Sequence, residues 1–420
     1  MAPPTLDQFR AEARTWLAAH AEPAVDRSKA DASTWGVGSD RVAVIGGSFT
    51  AEEEKRVIDE LRAWITLKST AGYHAVASPV EHGGLGLPGA FARAFTEEER
   101  RFHTPAPHEA VGISRDLVGP TIAVYGTPEQ IARYLPRLLS AEDLWCQLYS
   151  EPGAGSDLAA LATRAERDGD EWVLTGQKVW TSGARYADYG YILCRTDPSL
   201  PKHKGITAFL LDMKAPGVTV RPLRQMTGGA SFNEVFLDGA RVGDDHRLGP
   251  LNEGWRVALT TLGFERGSAT GEGGGKVTTK VERLLALARW LGRNDEPVVR
   301  QALARAWAYN RVQKINADRV KGALRAGQAP GPEGSIGKLM NTNGAALINE
   351  TASLLLGARL TADTGEWGTS GWAEHVLGTP GARIAGGTDE VQRTVIAERA
   401  LGLPAEPKGD RDQAWRAALR

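Results

Sequence analysis

Cysteine is almost absent. The 420 residues include two, Cys146 and Cys194, which rules out a disulfide framework or a cysteine metal cluster and fits a reducing cytoplasm. Charge of either sign in excess is also missing. Fifty Lys and Arg face 51 Asp and Glu, a formal net charge of −1, so no overall field favours nucleic acid or an acidic membrane. No stretch approaches the roughly 18 apolar residues of a membrane span. Residues 1–7 include an acid and start no apolar run, so a secretory signal is not expected. The eight His show no His-x-x-x-His or Cys/His spacing, so no metal site is expected. A G-x-S-x-G elbow is lacking, which leaves a serine hydrolase unsupported. There is no internal repeat and no low-complexity tract.

What is present is ordinary globular material, 42% apolar and 24% charged, long enough for two or three domains or one large mixed unit. Periodicity divides it into three zones. Residues 5–20, 51–69, 89–103 and 128–140 carry apolar spacings of three and four and read as helices, the last opened by Thr127-Pro128. Residues 24–48 read as loop. Short β-rich runs follow at 171–175, 189–195, 206–212, 218–223 and 234–238, with Asp168-Gly-Asp, Asp197-Pro-Ser and Ala215-Pro-Gly as turns, which predicts a small barrel or sandwich. From Gly254 the helical period returns over 276–291, 297–326, 334–360 and 388–401, and Gly402 suits a C-terminal cap. Helices, strands, then helices exclude the alternating βαβ order of a doubly wound sheet. Residues 405–420 read as a mobile tail or surface extension.

Two glycine clusters imitate nucleotide loops. Gly84-Leu-Gly-Leu-Pro-Gly89 has the G-x-G-x-x-G letters, but Pro79 and charge precede it where a hydrophobic strand is needed, so it reads as a tight loop. Gly271-Glu-Gly-Gly-Gly-Lys276 lacks phosphate-loop spacing and reads as a flexible connector.

The informative residues lie in the middle zone. Gln147-Leu148-Tyr149-Ser150 runs into Glu151-Pro-Gly-Ala-Gly155-Ser156-Asp157, a loop punctuated by Gly and Pro and rich in hydroxyls and carboxylates. Gly176-Gln-Lys-Val-Trp180-Thr181-Ser182 ends a strand with an aromatic and two hydroxyls. Together they resemble the flavin-binding signature of the acyl-CoA dehydrogenase family, and the resemblance covers roughly residues 5–403. It implies an α+β multidomain fold: an N-terminal helical domain (1–141), a central β-barrel (142–242), a C-terminal four-helix bundle (243–403) and a tail (404–420). It implies FAD as cofactor, with Ser150 at the isoalloxazine edge, the backbone of 147–156 lining the ring, Trp180 against the flavin and Thr181-Ser182 beside it, Ser182 near N5. It implies α,β-dehydrogenation of an acyl-CoA, with electrons passed to an electron-transfer flavoprotein and a homo- or hetero-tetramer built as a dimer of dimers.

The chemistry needs a base for the α-proton while a hydride leaves the β-carbon, and the cofactor supplies the redox part. Many family members place that base in a Tyr-Glu-Gly-Thr element. Here the matching residues are Ala385, Gly386, Gly387 and Thr388, then Glu390. Thr388 suits a helix N-cap, and the resemblance puts Thr388 and Glu390 against the cofactor. Gly386 has no ionisable group. Thr260-Thr-Leu-Gly-Phe-Glu265-Arg266 is similar to the Leu-x-x-Glu-Arg segment of members that carry the base on an earlier helix, including steroid side-chain-type dehydrogenases, which implies Glu265 as the catalytic base. An apolar wall would raise its pKa toward neutrality. Ser156, Arg266, Gly386 and Gly387 are then expected at the substrate. The family's Arg-x-x-Phe-Gly segment has no equivalent near 288–297, and its Gln-x-x-Gly-Gly segment is reduced to residues 353–358. A chain that completes a partner's FAD site in a mixed tetramer, or an oxidase or carrier-bound acyl dehydrogenase on the same scaffold, are the alternatives.

Overall fold

The computed structural model describes residues 4–24, 49–270, 276–326, 331–362, 369–407 and 412–415. The loop expected at 24–48 and the connector at 271–275 therefore lie almost wholly outside the described residues.

Helices open where the sequence offers caps. α1 (Leu6–His20), α2 (Ala51–Ser69) and α6 (Pro128–Leu139) each begin with a reciprocal capping box, Thr5 with Gln8, Thr50 with Glu53 and Thr127 with Gln130. α3 (Gly89–Glu99) packs on α1 around Phe9, Leu17, Trp64 and Phe95. The loop with the dinucleotide-like letters follows a 3₁₀ turn at Val80–His82 and enters α3, and among the described residues no strand precedes it. A run at 109–125 was not expected as helix: α4 (Glu109–Gly112) passes through a π-helical turn (Ile113–Val118) into α5 (Gly119–Tyr125).

The middle zone has eight strands: β1 (Trp145–Leu148), β2 (Arg164–Asp168), β3 (Glu171–Ser182), β4 (Tyr189–Arg195), β5 (Ile206–Asp212), β6 (Val218–Leu223), β7 (Phe232–Gly243) and β8 (Arg247–Leu248). They form one sheet ordered β6-β7-β3-β2-β4-β5-β8, with β1 parallel to β4. Among the described residues no pairing joins β6 to β8, so a closed barrel is not what the hydrogen bonds make. Pro222 lacks a donor N–H, as suits an edge strand, and β8 is two residues long. The sheet does curl. Trp172 on β3 meets Phe209 on β5, centroids 5.5 Å apart, though two strands lie between them in the order. That curl encloses a core of Leu148, Trp172, Ile192, Phe209, Leu211, Val235 and Leu237. The other face, through Tyr191, Leu193 and Leu210, packs on Ile122, Leu138 and Val257.

α7 (Gly254–Thr270), α8 (Lys276–Trp290), α9 (Pro297–Arg325), α10 (Glu333–Leu356) and α11 (Thr369–Ile384) follow. Val281, Leu284, Leu303, Ile348, Leu355 and Trp372 give α8 to α11 one shared core. α12 (Asp389–Val395) ends in a π-helical turn at Ile396–Ala400. The tail docks at Trp415. Trp415 donates its backbone N–H to Leu200 O (2.9 Å) and its indole N–H to Ala160 O (3.3 Å), and its ring lies 4.9 Å from the Arg195 guanidinium. An aromatic at the chain end that can cover a buried cation is the physical reason it docks.

Candidate active site

The loop after β1 is built on a buried ion pair. Lys178, fully buried, reaches Glu151 Oε1 at 2.8 Å and Tyr149 O at 3.1 Å. The other donors to Glu151 are backbone N–H groups, Thr163 at 2.9 Å and Ala162 at 2.7 Å. Burial disfavours the Glu151 anion, yet Lys178 and these donors hold its carboxyl below the ordinary range. Glu151 and Lys178 thus fix the bend from which the exposed Gly155 and Ser156 project. Gln147 is half-buried, and Leu148 is buried in the sheet core, so it presents only backbone elsewhere. Ser150 is half-buried and its carbonyl accepts from Val179 N at 2.9 Å.

Trp180 is held outward. A register shift between Lys178 and Thr181 bulges β3, Trp180 takes φ +61°, and its side chain is 58% exposed, edge-on to Phe232. A left-handed non-glycine residue costs about 1–2 kcal/mol, so the surrounding strands impose this pose, and such strain collects at functional sites. Thr181 is buried and its hydroxyl has no partner among the described residues. Ser182 Oγ donates to Glu109 Oε1 at 2.9 Å, a partner that no local motif announces. An aromatic plane beside polar groups is the surroundings a planar, hydrogen-bonding ring such as a flavin requires, so these residues fit that group.

The carboxylate comes from α7. Gly254 is needed where α7 starts, since a Cβ there would sit 2.7 Å from the Thr207 carbonyl carbon on β5. Further along, Thr261 Oγ1 meets Thr121 Oγ1 (2.9 Å) and Tyr191 OH (3.4 Å), and Tyr149 OH donates to Tyr191 OH (2.9 Å). This buried hydroxyl chain ties α7 to α5 and to the sheet; burial, partly offset by the neighbouring hydroxyls, pushes the Tyr149 phenol up to about 12. One helical turn beyond Thr261 stands Glu265. Its Oε1 lies 3.0 Å from where a Cβ on Gly386 would be, so the carboxylate of one helix occupies the surroundings of the side chain that the later turn lacks. Gly386 has φ +64° and Gly387 φ +88°. Gln392 Nε2 clamps their carbonyls at 3.0 and 3.3 Å. Thr388 caps α12, accepting from Val391 N at 3.2 Å, while Glu390 is exposed and pairs with Arg393. The side chain of Arg266 lies outside the described residues.

The chain matches the sequence profiles of the acyl-CoA dehydrogenase N-terminal domain over residues 49–142, middle domain over 146–240 and C-terminal domain over 252–401. It belongs to the acyl-CoA dehydrogenase family. The acyl-CoA dehydrogenase IpdE1 of Mycobacterium tuberculosis is 39% identical over 406 residues, 96% of this chain and 99% of that one. Among solved structures, the Tcur3481-Tcur3483 steroid ACAD aligns with a TM-score of 0.73 at 29% identity, over 97% of this chain and 99% of that one. The ChsE4-ChsE5 complex from Mycobacterium tuberculosis aligns at 0.69 and 27% identity, over 97% and 99%. As an acyl-CoA dehydrogenase the chain is an oxidoreductase of a flavin-dependent family. Its Gly386 lies beside a carboxylate delivered from α7.

Proposed function

We propose that this acyl-CoA dehydrogenase desaturates its thioester between Cα and Cβ with Glu265 as the base and FAD as cofactor. The observation that carries this reading is the approach of Glu265 Oε1 to the Cβ position of Gly386, 3.0 Å. Glu265 takes the α-proton on a carboxylate oxygen. A positioned base of this kind contributes about 10²–10⁴-fold in rate. Bound FAD supplies the two-electron acceptor. Trp180, Ser150, Thr181, Ser182 and the backbone of 147–156 would hold it, together with Thr388 and Glu390. Ser156, Arg266 and the Gly386-Gly387 turn receive the thioester. An electron-transfer flavoprotein is the proposed electron-accepting partner. The two free, buried cysteines accord with a reducing cytoplasm.

The resemblance to a steroid ACAD supports a ring-bearing acyl group. The likeness to the ChsE4-ChsE5 complex supports a mixed tetramer as the assembly. Because this chain carries the carboxylate, it is the base-bearing subunit of such an assembly rather than a silent one. The test is the visible spectrum of the purified protein, followed by anaerobic addition of straight, branched and ring-bearing CoA esters. A yellow protein bleached fastest by a ring-bearing ester is expected. A colourless chain that no ester alters would favour the subunit that only completes a partner's site, and oxygen consumption during turnover would indicate an oxidase.

A further inference from the structure

Behind the Gly386-Gly387 turn lies a charged group that the mechanism above does not use. Lys338 on α10, its side chain 18% exposed, donates from Nζ to Gly387 O at 2.8 Å and stands 4.0 Å from Asp389 Oδ1. Asp389 is buried, accepts from Thr342 Oγ1 at 2.8 Å and meets Arg383 at 2.7 Å. Two cations therefore share one buried carboxylate, which leaves a positive charge in excess on this side of the turn. Glu390 does not cancel it, being exposed and turned to Arg393. Lys338 and Glu265 flank the same turn, Glu265 Oε1 3.0 Å from the Cβ position of Gly386 and Lys338 Nζ on the carbonyl of Gly387, and while burial pushes the Lys338 ammonium down, the negative charges of Asp389 and then Glu265 oppose that.

Other ionisable groups also stand around α7. Tyr149, after β1, is neutral with its pKa pushed up to about 12. The π-helical turn brings Arg115, which is spent on His74 O, beside Asp116. β5 carries no ionisable residue between Ile206 and Leu211, and Arg311 and Lys314 on α9 are exposed. Arg266 is the next residue along the chain from Glu265.

We propose that Lys338 is a positioning residue for the dehydrogenation: it fixes the turn through the Gly387 carbonyl and holds Glu265 as the carboxylate across it. This rests on Glu265 being the base. The test is the pH profile of kcat/KM of the holoenzyme in Lys338→Gln, which retains a donor but no charge, and Lys338→Arg, which keeps the charge. A base must be ionised to act, so activity rises through its titration. Removing a nearby cation moves that ascending limb to higher pH, by about one unit for an opposite charge in a partly exposed site. Lys338→Gln should therefore lose about tenfold in kcat/KM below the limb and little on the alkaline plateau, while Lys338→Arg keeps the limb in place. An unmoved limb in Lys338→Gln, or an equal fall at every pH, overturns the proposal. Should Lys338→Gln fail to fold, Lys338→Met serves with the same expectation, and failure of both neutral variants beside a folded Lys338→Arg with a displaced limb also counts against it. Glu265→Gln, measured in parallel, separates the two claims. If it is inactive and the limb stays put, only Lys338 is wrong; if it turns over normally, the base assignment falls and this inference with it.

Discussion

Glycine at 386 and glutamate at 265 are coupled choices. A methyl group added at 386 would stand 3.0 Å from Glu265 Oε1, tighter than ordinary van der Waals contact, and would have to adopt φ +64°. The flexible carboxylate, not the backbone, is the part that can give way. Gly386→Ala should therefore displace the base, and misplacement of about 1 Å at a reacting group costs up to about 10²-fold. The expected outcome is a fall in kcat/KM of at least about tenfold with the flavin retained; unchanged kinetics would show that Glu265 does not depend on that space. Sequence reading singled out both residues, because the resemblance implies a base in the element around Gly386 and a second Glu sits in a segment similar to that of other members; their proximity is what the fold adds. Lys178, Glu109 and Lys338 were not readable. Each is an ordinary charged residue whose partner lies on a distant element, and only the fold brings Lys178 to Glu151 or Lys338 to Gly387.

At the scale of elements, periodicity located most of the long helices and five of the eight strands, but named no run at β1, β2, β8 or α11. It missed 109–125. Gly112, Gly119 and Pro120 interrupt its pattern, and the π-helical turn at Ile113–Val118 shifts the phase of the buried face, so no single 3.6 period fits. That segment matters, since it carries Thr121 to Thr261 and Glu109 to Ser182. The bulge that turns Trp180 outward was equally hidden, because a strand-end Trp has the same letters whether it faces the core or the solvent. The strands whose spacing reads as a small barrel or sandwich form one curled sheet, since spacing counts strands but does not say whether the first and last of them pair.

At the scale of the whole molecule, two buried histidines set a limit on acid stability. Burial, together with Arg115 and Lys68, pushes His74 down to about 4, and burial pushes His375 down to about 3. Both stay neutral in the folded chain while their unfolded counterparts bind protons near pH 6.5. The unfolded state thus takes up more protons between about 6.5 and the folded values, so the stability these histidines contribute is complete above pH 6.5 and falls as pH drops toward 4. Each adds a slope of at most about 1.4 kcal/mol per pH unit. Urea midpoints should fall between pH 7 and pH 5, ahead of general carboxylate protonation, and His375→Gln should flatten part of that fall; a level profile would contradict it.

The three parts of the molecule meet where α7 leaves the curled sheet and passes the turn before α12, and the central claim is that this meeting delivers a base. Anaerobic mixing of Glu265→Gln with a CoA ester that bleaches the native flavin tests it most directly. The account predicts a variant that stays yellow, with reduction slowed by at least about 100-fold while the ester still binds. Bleaching at the native rate would contradict it.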